Sequence, residues 1–318
     1  MFWKKLGQIF DPSTHKLPKQ CTAFAQSPQA LVFDDFVRVY FSTRMLDKNG
    51  KYLSLVAYVD FDKDFKSIRA VAQEPVIALG GPGCFDEHGI FPMNVLRDGN
   101  KIIAYTTGWS RRVSVSAEAS IGYAVSNDQG LTFEKLGQGP VLGASLLEPF
   151  LVSDAFVSKI GERYYMWYIY GCKWFCDPYE TEPQRVYRIA QAQSVDGVHW
   201  QRDSKQLIET VLDENECQAL PSVIKIDDCY HMYFCYRHAT GFRSGKQRSY
   251  RLGYARSMDL VNWIRDDKRG GLNRSESGWD SQMLCYPHIF RCDEQIYLLY
   301  NGNEFGKTGF GMAQLVEL

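Results

Sequence analysis

SDAFVSKIGERYYMWYIYG, residues 153–171, is one copy of a pattern that recurs along the chain: a short apolar run, a turn, then an aromatic strand. The other copies are SPQALVFDDFVRVYFSTR (27–44), FPMNVLRDGNKIIAYTTGW (91–109), LPSVIKIDDCYHMYFCYR (220–237) and YPHIFRCDEQIYLLYNGN (286–303). Apolar residues alternating on both sides of a tight turn read as an antiparallel hairpin. With the turns aligned at Asp35, Gly99, Gly161, Asp228 and Glu294, the aromatics Phe41, Tyr105, Trp167, Phe234 and Tyr300 fall 64, 62, 67 and 66 residues apart. A period this steady predicts repeated antiparallel sheets rather than strand–helix–strand units.

A second element follows each hairpin: SLVAYVDFD (54–62), IGYAVSNDQGLTF (121–133), IAQAQSVDGVHW (189–200), LGYARSMDLVNW (252–263) and GFGMAQLVEL (309–318). It reads as a third strand, and in the middle three copies it leads through a turn to Phe133, Trp200 or Trp263, where a fourth, outer strand begins. The fold expected is therefore all-β: one five-bladed β-propeller, mostly with four antiparallel strands per blade, whose radial closure leaves only short edges. The blades are expected at about 26–80, 90–142, 152–208, 219–275 and 285–318, with the N-terminus available for strand closure. The stretches 1–25, 172–187, 205–219 and 239–250 read as loops between blades.

Composition narrows the function classes. The 36 basic and 37 acidic residues leave a net charge of −1, so no global field favours nucleic acid or an anionic membrane. No run of 18 apolar residues predicts a membrane span. Nine scattered cysteines and an N-terminus, MFWKKLGQIFDP, without an apolar signal core are read as reduced thiols in a cytoplasmic protein. The six histidines do not fall at ligand spacing from those cysteines, so no protein-bound metal is expected. The 45 phenylalanine, tyrosine and tryptophan residues suit pleated surfaces and also suit sugar binding.

The architecture and the Ser194-x-Asp196-Gly197-x-x-Trp200 type of turn resemble the five-bladed glycoside hydrolase superfamily of arabinanases, β-xylosidases, invertases and levansucrases, and also the mannoside phosphorylases. The resemblance implies that the residues opening each innermost strand face a central funnel and carry the catalytic carboxylates. Those stretches are Ala25–Pro28, Asp86–Pro92, Ser153–Asp154, Glu216–Pro221 and Trp279–Pro287. Glycoside cleavage needs a proton donor and a second carboxylate, and Asp86, Asp154 and Glu216 are the catalytic candidates. Asp154 is read as occupying the place of Pro28, Pro92, Pro221 and Pro287, and Glu216-Cys217 is similar to the acid/base pair of the invertase group. One departure is plain: where arabinanase-type enzymes carry an aspartate before the first proline, this chain has Ser27, preceded by Gln26.

Substrate contacts are expected from Gln26, Glu87, His88, Asp280, His288, Asn301 and Asn303, and from the aromatic faces of Trp109, Trp279 and Tyr286. Arg44, Arg111 and Arg237, which end inner hairpins or follow them closely, are candidates for holding a phosphate, a nucleotide-sugar or an acidic sugar. No cofactor is predicted; the resemblance allows a divalent cation in the channel. The function expected is a carbohydrate-active enzyme that hydrolyses or transfers a glycosyl group, its partner a carbohydrate or sugar phosphate. Phosphorolysis and glycan binding without catalysis are the alternatives.

Overall fold

The computed structural model describes all residues from Met1 to Leu318, and they are nearly all strand and turn. The chain opens with β1 (Phe2–Phe10) and then lays down four-stranded groups in sequence. The first group is β2 (Gln26–Val32), β3 (Phe36–Leu46), β4 (Tyr52–Asp62) and β5 (Ile68–Val71). The second is β6 (Gly89–Asp98), β7 (Lys101–Ser110), β8 (Glu118–Ser126) and β9 (Glu134–Lys135). The third is β10 (Val152–Ile160), β11 (Arg163–Phe175), β12 (Gln184–Ser194) and β13 (Gln201–Arg202). The fourth is β14 (Cys217–Ile226), β15 (Cys229–Arg237), β16 (Arg251–Ser257) and β17 (Ile264–Arg265). The last, β18 (Cys285–Cys292), β19 (Gln295–Asn301) and β20 (Phe310–Glu317), is completed by β1, which pairs antiparallel with β20.

Within every group consecutive strands pair antiparallel. The first two groups form one continuous sheet through a single parallel pair, Ser54 with Gly89. The first strands pack beside one another in a ring, β2 against β6, β6 against β10, β10 against β14, β14 against β18, and β18 back against β2.

Apolar side chains fill the space between neighbouring sheets. Phe41 and Phe61 meet Phe310 across the seam between the first and last groups, and Trp167 meets Trp263 edge-on at 6.3 Å. The repeat aromatics Phe41, Tyr105, Trp167, Phe234 and Tyr300 are all buried. Hydroxyls add directional links: Tyr40 donates to the Gly130 carbonyl at 2.8 Å and Tyr105 to the Gly197 carbonyl at 2.7 Å, each reaching the outer turn of the next group.

Those outer turns share one construction. Ser126, Ser194 and Ser257 each bond through Oγ to the aspartate two residues on and accept a backbone N–H from the following turn. Ser194→Ala should cost about 1 kcal/mol by removing these bonds, seen as a lowered urea midpoint with an unchanged slope.

Three expectations are corrected. The stretch 1–25 is not all loop, because β1 supplies the outer strand of the last group and buries Trp3, whose Nε1 donates to the Tyr233 hydroxyl and the Gly270 carbonyl. The stretch 172–187 is partly strand, since β11 runs to Phe175 and β12 begins at Gln184. The turn alignment shifts by one residue in the last two groups: the left-handed turn positions are Gly99, Gly161, Asp227 and Asp293, not Asp228 and Glu294. Aspartate tolerates that conformation because its short side chain hydrogen-bonds locally.

Candidate functional site

Each first strand carries a bulge at its inner end. The pairing slips between Gln26 and Gln29, Ile90 and Met93, Ser153 and Phe156, Ala219 and Ser222, and Cys285 and His288. In four of the five bulges the first extra residue is left-handed: Ser27 (φ 55°), Asp154 (59°), Leu220 (47°) and Tyr286 (57°). Holding such residues there costs of order 1–3 kcal/mol each and re-aims their side chains out of the ladder. Asp154 therefore matches Ser27, Leu220 and Tyr286, the residues before the prolines, and Ala155 takes the proline's place. This corrects the alignment of Asp154 with the prolines themselves. The aspartate that is missing before the proline of the first group stands at the equivalent bulge of the third.

Residues of the second, third and fifth bulges, Phe91, Asp154 and Tyr286, line a cavity of about 480 Å³ to which every group contributes. Phe91, Asp154 and Tyr286 lie at its base with Ala219, Tyr187 and Tyr250, and Trp109, Glu118, Tyr52, Phe242 and Phe305 form further walls. Asp154 is 7% exposed. Burial pushes its carboxyl up to about 6 from 3.8, against smaller opposing effects of the Leu220 N–H at 3.3 Å, Ser153 and the Arg185 charge. Its backbone N–H donates to Thr107 Oγ1 at 2.8 Å, which ties the bulge to β7.

Glu118 is the other carboxylate of the cavity. Its Oε2 accepts from Arg112 at 3.1 Å, while Oε1 is buried without a partner. Four arginines also line the space: Arg44, Arg185, Arg237 and Arg243. Tyr187 and Tyr250 share a hydrogen bond of 2.5 Å, and Arg237 donates to the Tyr187 hydroxyl at 2.9 Å.

The three carboxylates expected at the funnel are not brought together. Asp86 forms a buried ion pair with Lys135 of β9, and Glu216 pairs with Arg265 of β17 at 2.7 Å. Glu216 also accepts from the backbone of Val211 and Leu212 and from Gln218. Asp280 follows the same plan, paired with Lys5 of β1 at 2.6 Å, and so does Glu148, paired with Arg202 of β13 at 2.6 Å. Four times, a buried acid in the segment before a first strand reaches the basic residue on the fourth strand of its own group. The device pins the connecting segment under the sheet, and with their charges paired these acids have a structural task.

Among the expected contact residues, Arg44, Trp109, Arg237 and Tyr286 line the cavity. Arg111 is held by Asp47 at 2.7 Å and by the Tyr52 carbonyl. Glu87 accepts the Gly83 N–H, and His88 lies against Trp109, its Nδ1 accepting the Arg111 N–H at 3.4 Å. Gln26 donates to the Phe305 carbonyl at 2.6 Å. Trp279 stacks on Tyr300 at 5.2 Å and fills the space beside Gly302 and Gly311. Asn301 ties Ser27, Ala25 and Gly309 together, and Asn303 ties Gln282, Met283 and Gly278. His288 is buried between Phe156 and Phe290 with neither ring nitrogen partnered, and burial lowers its pKa to about 4.

Residues not anticipated from sequence are Tyr52, Glu118, Arg185, Tyr187, Tyr250 and Phe305. The signal for Arg185 and Tyr187 was present: they alternate with apolar Val186 along QRVYRIA (184–190), a strand pattern inside a stretch read as loop.

Solved structures that share this fold include glycoside hydrolases. A glycoside hydrolase aligns with a TM-score of 0.74 at 16% identity, covering 99% of this chain and 92% of that one. A member of the GH130 mannoside phosphorylase family, which contains hydrolases targeting β-1,2-mannosidic linkages in Candida mannan, aligns with a TM-score of 0.67 at 14% identity over 98% and 93% of the two chains. No model of a protein family matches the sequence. In sequence, the chain belongs to one family with Uncharacterized protein MT1551 and Uncharacterized protein Rv1502 of Mycobacterium tuberculosis strains CDC 1551 and H37Rv. Each is 33% identical over 316 residues, 99% of this chain and 99% of the relative. No helix is long and apolar enough to cross a membrane.

Proposed function

We propose that the chain is a five-bladed propeller whose funnel cavity hydrolyses or transfers a glycosyl group, with Asp154 as the proton donor to the leaving oxygen. Five four-stranded groups with a ring of first strands support the blade count, and the carbohydrate-active enzymes that share the fold support the substrate class. The observation that carries the reading is Asp154 itself: a buried carboxyl, re-aimed by a left-handed bulge into an aromatic-lined cavity and raised to about 6.

A donor must hold its proton at working pH and give it up readily, and a carboxyl raised by burial meets both needs. Glu118, the other carboxylate lining the cavity, has Oε1 buried and unpartnered, which supports it as the group that assists the incoming nucleophile. Trp109 and the cavity tyrosines offer flat faces for a pyranose or furanose ring.

The test is a panel of aryl glycosides and glycosyl phosphates assayed across pH. kcat/KM of a cleaved substrate should fall tenfold per pH unit above about 6 as Asp154 loses its proton. Undiminished turnover by Asp154→Asn would end the assignment.

A further inference from the structure

The four cavity arginines are among the thirteen of the chain's nineteen arginines that form no ion pair, and they are set apart by lining one cavity together. Arg38, Arg69, Arg111, Arg112, Arg202 and Arg265 each form an ion pair with a carboxylate. Arg44, Arg185, Arg237 and Arg243 form none, although they surround one cavity with only Asp154 and Glu118 to offset them.

Arg237 is the most telling. It is 3% exposed, donates through Nη1 to the carbonyls of His238 and Ala239 and through Nη2 to Tyr187, and leaves Nε buried without a partner. Phe242 lies 3.5 Å from its guanidinium carbon, and the Tyr187 and Tyr250 rings flank it at 5.3 and 5.4 Å. Arg44 is held between Phe24 at 4.6 Å and Tyr52 at 5.5 Å, and its Nε is also buried and unpartnered. Aromatic faces fix the guanidinium planes and leave hydrogen bonding to the in-plane N–H groups, which are what bind oxyanions; on Arg237 two carbonyls and Tyr187 already take Nη1 and part of Nη2, and Nε–H is the donor left over. The cations also act on one another: burial lowers Arg243, and the Arg237 and Arg185 charges lower it further.

A buried guanidinium without a counter-charge is costly. Arg237 is such a group, Arg44 and Arg185 are half-buried and Arg243 is exposed beside them, and together they make a site that an anion completes. A neutral sugar offers hydroxyls, which leave that charge uncompensated.

Resting on the reading of this cavity as a sugar site, we propose that its substrate is a sugar that itself carries an oxyanion substituent, a phosphate or a carboxylate, gripped by Arg237 and Arg44 while Arg185 and Arg243 close over it. Phosphate and carboxylate present the same paired oxygens to a guanidinium fork. The ring would lie between this anion and Asp154, within a cavity large enough for a substituted mono- or disaccharide.

The test is calorimetric titration of the full chain with glucose 6-phosphate, glucuronate, glucose and inorganic phosphate. One of the two anionic sugars should bind at least tenfold more tightly than either glucose or free phosphate, and which one does identifies the substituent. Raising the salt from 50 to 500 mM should weaken that binding severalfold. Arg237→Met and Arg44→Met should each reduce it at least tenfold, whereas Arg69→Gln, on the surface, should leave it unchanged. If Arg237→Met fails to fold, Arg44→Met and the salt series still decide.

Equal affinity for glucose and the anionic sugars would overturn the inference and leave the sugar site standing. Inorganic phosphate binding as tightly as glucose 6-phosphate would also overturn it, because the anion would then be a separate co-substrate. Binding of phosphate with no binding of any sugar would overturn both the inference and the sugar reading.

Discussion

Asp154→Asn should make the protein more stable at pH 7 while removing turnover. Moving a carboxyl from 3.8 to about 6 corresponds to about 3 kcal/mol of differential free energy. The sign follows from linkage: the folded state holds the proton more tightly than the unfolded chain, so this contribution is fully present below about pH 4 and is lost as pH rises through about 6. A neutral asparagine keeps an acceptor for the Leu220 N–H and tolerates the left-handed backbone at φ 59°. Denaturant unfolding should therefore give a variant up to about 3 kcal/mol more stable than the parent at pH 7, with the difference vanishing near pH 4. A variant less stable than the parent at pH 7 would show that the carboxylate is compensated in the fold and is not held there for chemistry.

Glu216→Ala should have the opposite outcome. The carboxylate is fully buried and takes charge-assisted bonds from Arg265, Gln218 and two backbone N–H groups. Removing it strands Arg265 with only Asp267 as a counter-charge, at 2.9 Å. Breaking one side of a buried pair costs about 3–5 kcal/mol, so the urea midpoint should drop sharply. The same substitution should leave the pH dependence of any turnover by the folded fraction unaltered, which a catalytic role would not.

The repeated hairpins are legible in sequence because strand alternation and tight turns are local signals. Register is less so. Asp227-Asp228 and Asp293-Glu294 each offer two residues able to turn the chain, and only the backbone distinguishes which is left-handed. Aligning on the second displaced Asp154 onto Pro221 and Pro287 and hid its equivalence with Leu220 and Tyr286.

The acids before the first strands posed a different difficulty. From sequence, an acid at that point can face either the funnel or the underside of its own sheet, because the partner that decides is remote: in three of the four cases it lies some 50 residues on, on a strand of two residues, and for Asp280 it is Lys5, 275 residues away. A trace was nonetheless present: β9, β13 and β17 each end in Lys or Arg, at Lys135, Arg202 and Arg265. Of the cavity arginines, Arg44 and Arg237 are marked in sequence by their place at the ends of inner hairpins. That Arg237 lacks a carboxylate partner while Arg202 has one is decided only by the three-dimensional placement of the carboxylates.

The most direct test of the account is a crystal structure of Asp154→Asn soaked with whichever anionic sugar binds the protein. The account predicts a sugar in the cavity floored by Phe91, Tyr286 and residue 154, with a glycosidic or anomeric oxygen within hydrogen-bond distance of that residue's side chain and the oxyanion on Arg237. A ligand bound elsewhere on the protein, with this cavity holding only solvent, would contradict it.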